Sequence, residues 1–83
     1  MTDRETIDRF LAAPDTTPEE RAVILWQYQL IGDFKQALWE AISRADGDNL
    51  LRLELGFPDE VRGFRGWAHG DMATRLRNRG LEI

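Results

Sequence analysis

Between Asp33 and His69 the chain carries almost every start and stop signal that a short α-helix can use, in working order. Asp33 with Gln36 offers a capping pair, and Phe34, Ala37, Leu38, Ala41, Ile42 and Ala45 fall on one helical stripe. Asp46-Gly47-Asp48-Asn49 is a turn made of capping residues, and Gly56 closes a short helix that runs from about Asn49 to Leu55. Phe57-Pro58-Asp59-Glu60 starts the next one, with proline in the first turn and two acids at the positive end of the dipole. Such punctuation confines the chain to short helices. No segment shows strand alternation or an Asn-Gly hairpin.

The flanking segments extend the pattern. Thr2 and Glu5 have capping-box spacing, Ile7, Phe10 and Leu11 follow at helical intervals, and Pro14 ends that first helix. Thr17-Pro18-Glu19-Glu20 opens a second helix with a wide apolar face from Val23 to Ile31, stopped by Gly32. Phe57, Val61, Phe64 and Ala68 carry the apolar stripe onward, with Gly63 and Gly66 read as points of close helix approach, fraying of the helix being the plainer alternative. Asp71 is placed to cap a last helix, with Met72, Ala73 and Leu76 inward and Gly80 as its stop. The expected fold is an all-α bundle of about five short helices, at 3–12, 18–31, 34–45, 49–55 and 58–69/71–79. The last pair is left open as one helix or two. The short Gly32 connection requires a hairpin or a sharp corner, so the fold is expected to centre on residues 23–45.

Eighty-three residues suit a single domain, 1–83, with a stability of roughly 5 kcal/mol. There is no cysteine, hence no disulfide and no thiolate metal site, so three Trp, four Phe and one Tyr supply much of the core. The start Met1-Thr2-Asp3-Arg4-Glu5 lacks an apolar signal core, and no apolar run approaches the roughly 20 residues of a membrane span. A soluble, cytoplasmic protein is expected, with monomer and homodimer both open.

The net charge of −4 is unevenly placed. Residues 1–55 hold eleven acids against six bases, while 56–83 hold four acids against five arginines. An acidic body disfavours non-specific nucleic-acid binding, whose affinity comes mainly from phosphate neutralisation. No catalytic, cofactor or metal residues can be composed. His69 is the only histidine and lies near a helix end, where it can face carbonyls or solvent. The acids at Asp46, Asp48, Asp59 and Glu60 sit at helix starts, and Gly63-Phe64-Arg65-Gly66 is no phosphate loop.

Two surfaces remain. One is the acidic turn with its neighbours: Trp39, Glu40, Asp46, Asp48 and Glu54, with Trp39 either a rim residue of the core or an exposed anchor. The other is the arginine group Arg62, Arg65, Arg75, Arg77 and Arg79, which could face an anion.

Tyr28, Gly32, Asp33, Phe34, Ala37 and Leu38 resemble the hairpin of one tetratricopeptide repeat over about 25 residues, with no second copy at the repeat spacing. The run Ala37-Leu38-x-x-Ala41-Ile42-x-x-Ala45-Asp46-x-x-Asn49-Leu50-x-x-Leu53, then Gly56-Phe57-Pro58-x-Glu60-Val61, is similar to small uncharacterised proteins of phages and mobile elements. That resemblance implies no catalytic residue. It implies a setting in which short proteins bind and block or retarget a host machine, anti-CRISPR inhibitors among them.

The expected function is therefore non-enzymatic protein–protein binding to a host complex, as an inhibitor of a host defence complex. The alternative is a small nucleic-acid-binding regulator that uses the C-terminal arginines.

Overall fold

The computed structural model describes residues 3–83, and all regular structure in them is helical. Six helices follow in chain order: α1 Arg4–Ala12, α2 Pro18–Gln27, α3 Asp33–Arg44, α4 Gly47–Gly56, α5 Pro58–His69 and α6 Met72–Asn78. The count is six because the last two are separate: Gly70, at φ −117° and ψ −157°, ends α5 in extended backbone before α6 begins. The start and end of α5 fall where Pro58 and His69 suggested.

Local chemistry explains most boundaries. The Thr2 cap lies outside the described residues, and Asp3 caps α1 instead by accepting the N–H of Thr6 at 2.8 Å. That bond holds the Asp3 carboxyl below the ordinary aspartate range. Thr17 and Glu20 close a reciprocal capping box on α2, with bonds of 3.1 and 2.9 Å. Asp46 caps α4 through the N–H of Asn49 at 2.9 Å, which starts that helix at Gly47, earlier than expected. Two expected caps are not made. Gly32 takes the cap position of α3 and leaves Asp33 inside the first turn, while Asp71 pairs with Arg75 at 3.0 Å.

The end of α2 also departs from expectation. The helix stops at Gln27, well before Gly32, because Gln29 adopts a left-handed conformation at φ 55°. The N–H of Leu30 then reaches the carbonyl of Leu25 at 2.8 Å, and that of Gln29 reaches Trp26 at 3.1 Å. This is a Schellman cap with glutamine where glycine is usual. The end of α6 repeats it with Gly80 at φ 108°: Leu81 bonds to Leu76 at 3.1 Å and Gly80 to Arg77 at 3.0 Å. There Leu76 and Leu81 are both buried, so the cap is sealed by packing as well.

The centre of the fold is α5, not the α2–α3 segment. It packs against α2, α3, α4 and α6, while α1 leans on α2. Gly63 permits this, since a Cβ there would lie 2.9 Å from both the Glu19 carbonyl oxygen and a Val23 methyl. One core cluster gathers Val23, Ile24, Trp39, Met72, Leu76 and Leu81, with Ile7 and Ala22. A smaller one holds Leu38, Ile42 and Val61, with Leu50, Leu53 and Phe57 against it. Phe64 of α5 touches both.

Candidate functional site

The residues of the acidic turn divide into those committed to the fold and those left outside. Trp39 is 2% exposed and stacks on Trp26, with centroids 4.3 Å apart and planes 3° from parallel. Trp67 meets Trp26 edge-on at 6.1 Å. Trp39 is therefore a core residue, and the exposed-anchor reading is corrected. Glu54 is also occupied: its two carboxylate oxygens take Arg62, at 3.5 Å, and Arg65, across the α4–α5 seam. Asp46 is exposed but caps α4. Glu40 is exposed and faces only Arg44, at 3.8 Å on the same helix. Asp48 is exposed, with no hydrogen bond or ion pair among the described residues.

The burial of Trp39 rotates α3 away from the expected stripe. The buried residues are Leu38, Trp39 and Ile42. Phe34, Ala37 and Ala41, expected inward, are exposed, Phe34 to 67%. Phe34 still meets Phe57 at 5.9 Å, so its ring rests at the junction of α4 and α5.

Beside this exposed side of α3 runs a cleft. Both α3 and α4 pack on α5 more than on each other. Between them lies a groove of about 390 Å³, with Ala41, Ala45 and Leu53 along it and Arg44, Asn49 and Arg52 at its edge. Its size falls within the range of ligand grooves, and its lining is mainly apolar with a few polar groups. Arg52 has no acidic partner among the described residues. The sequence reading missed the cleft and also the exposure of Leu51, at 59%, and Leu55, at 88%. One signal was present: Leu50, Leu51, Leu53 and Leu55 are too many apolar positions for one face of a ten-residue helix.

The arginine group is split between two seams. Arg62 and Arg65 hold Glu54. Arg75 and Arg79 converge on Glu20 at 3.9 and 3.6 Å, and Arg79 also reaches Asp15 at 3.4 Å and lies over the Phe10 ring at 5.1 Å. Arg77 donates to the Ile83 carbonyl at 2.7 Å. Four of the five already face carboxylates, so they do not form one free anion-binding surface.

His69 is exposed in the last turn of α5 and meets the Phe64 ring edge-on at 6.4 Å. Among the described residues no group of three His, Cys, Asp or Glu side chains is placed to hold a metal ion, and no helix is long and apolar enough to cross a membrane. No family model, no curated protein and no solved structure matches the chain.

Proposed function

We propose that this protein acts by binding another protein, with the cleft between α3 and α4 as its recognition surface. The carrying observation is the cleft itself: two helices that share α5 as support leave an apolar groove of about 390 Å³ between them. A groove between helices suits an amphipathic helix whose apolar face replaces the missing neighbour. Phe34 and Ala37 extend the apolar track on α3, while Arg44 and Arg52 supply the charge at the edge of the groove. Charged rims of this kind act mainly on partner choice and association rate.

The reading is non-enzymatic. The resemblance of the Ala45-Asp46-x-x-Asn49-Leu50 and Gly56-Phe57-Pro58 segments to proteins of phages and mobile elements points to a host complex as the partner. Blocking a host defence complex, in the manner of anti-CRISPR inhibitors, is the specific form we propose.

The test is co-purification from the native host with wild type and with Ala41→Trp, which plugs the groove at an exposed position. A stoichiometric partner lost on plugging is the expected result. A partner retained by the plugged variant, or none recovered with wild type, overturns the reading.

A further inference from the structure

The edge of the α3–α4 cleft is basic on a protein that is acidic as a whole. The net charge is −4, yet among the described residues the charged side chains lining the groove are Arg44 from α3 and Arg52 from α4. Most other arginines are occupied by the fold. Arg21 donates to the carbonyls of Leu11 and Ala13, Arg77 donates to that of Ile83, and the seam arginines face Glu20 and Glu54. Arg52 makes no hydrogen bond or ion pair among the described residues, although Asp48 stands one turn before it on α4. Arg44 reaches Glu40 only at 3.8 Å, with side chains 79% and 70% exposed. An ion pair so open to water is weak and yields readily to a better partner.

We propose, on the premise that the cleft is the recognition surface, that its occupant is an acidic amphipathic helix of the partner protein. Carboxylates border the apolar face of that helix on both sides. The two arginines come from opposite walls of the groove, so a helix laid along it meets a cation on either side. Its apolar side chains cover Ala41, Ala45 and Leu53. The alanines are small, which lets the incoming helix approach α3 closely. A guanidinium grips a carboxylate with two parallel N–H donors, which fixes direction as well as charge. Asn49 at the same edge offers both a donor and an acceptor to a neighbouring polar group. A nucleic-acid strand fits less well: the groove lining is mainly apolar, and the acidic body repels a phosphate backbone.

Fluorescence anisotropy with two labelled synthetic peptides tests this. Both are helices of about five turns with the same leucine stripe; one carries glutamate along both borders of the stripe, the other lysine. Net charge alone favours the lysine peptide, so a preference for glutamate isolates the groove edge. Wild type is expected to bind the glutamate peptide about tenfold more tightly, because both arginine contacts change from repulsion to attraction. Arg44→Glu combined with Arg52→Glu is expected to reverse the preference, and Ala41→Trp to abolish binding of the glutamate peptide. Helical circular dichroism confirms that each variant is folded.

The acidic occupant is overturned if wild type prefers the lysine peptide, if the double arginine variant keeps the preference for glutamate, or if glutamate binding survives Ala41→Trp. No binding of the glutamate peptide up to about 1 mM overturns it as well. So does tighter binding of an oligothymidylate that the double variant loses, which would assign the groove to nucleic acid. In co-purification from the host, a partner lost on Ala41→Trp but kept by the double variant overturns the acidic occupant alone. A partner kept by both variants overturns the cleft as the recognition surface.

Discussion

The half of the molecule built from α1, α2 and α6 differs sharply from the half built from α3 and α4. In the first, Val23, Ile24 and Leu76 are fully enclosed, and the carboxylate of Glu20 is enclosed with them. In the second, α4 has no buried residue at all, and Phe34, Leu51 and Leu55 face outward. Both halves are rich in apolar residues. What differs is whether another part of the same chain covers them. Apolar surface that the fold does not cover is available to another molecule, which is why we assign the binding surfaces to the α3–α4 side.

Three variants would break or sharpen this contrast. Ile24→Ala removes a fully enclosed side chain and should cost about 3–4 kcal/mol, much of the stability of a chain this size. Urea unfolding would show this as a large fall in the midpoint, and a loss under about 1 kcal/mol would mean that the α2 side is not the better-packed half.

Glu20→Gln is the intermediate case. The amide keeps its shape beside Thr17 but loses the charge that faces Arg75 and Arg79. Those arginines are 49% and 31% exposed, so water screens part of the loss and about 2 kcal/mol is expected. The same measurement in high salt should recover little of it, because the carboxylate is only 5% exposed.

The smallest effect belongs to Leu51→Ser with Leu55→Ser. At 59% and 88% exposure these side chains contribute little to the monomer, and stability should change by no more than about 0.5 kcal/mol each. A loss above about 2 kcal/mol would show that the outer face of α4 is part of the fold and would erase the contrast.

Much of this architecture was legible in the chain. Pro58 and His69 bracket α5, Thr17 with Glu20 forms the expected capping box, and Gly63 marks a close approach of α5 to α2. These features depend on a few neighbouring residues or on the absence of a side chain, so sequence is enough to read them. The end of α2 was not legible, because a left-handed glutamine carries no distinctive residue type and Gly32 offered a more familiar stop. The rotation of α3 was not legible either. Phe34, Ala37, Leu38, Ala41 and Ile42 make an acceptable stripe, and so do Leu38, Trp39 and Ile42. Periodicity shows that a helix has an apolar face but does not say which of two overlapping faces meets a neighbour.

Sequence by itself determined the helical class and some of the caps, the Thr17 and Glu20 box and the Gly80 stop among them, since these follow from residue type and local spacing. Only the tertiary structure decided that α5 is the hub and that Trp39 is stacked inside. It also divided the arginines between Glu54 and Glu20, and left a cleft beside α4. The physical reason is that burial belongs to pairs of elements distant in the chain: an apolar or charged side chain is the same in sequence whether a neighbour covers it or water does.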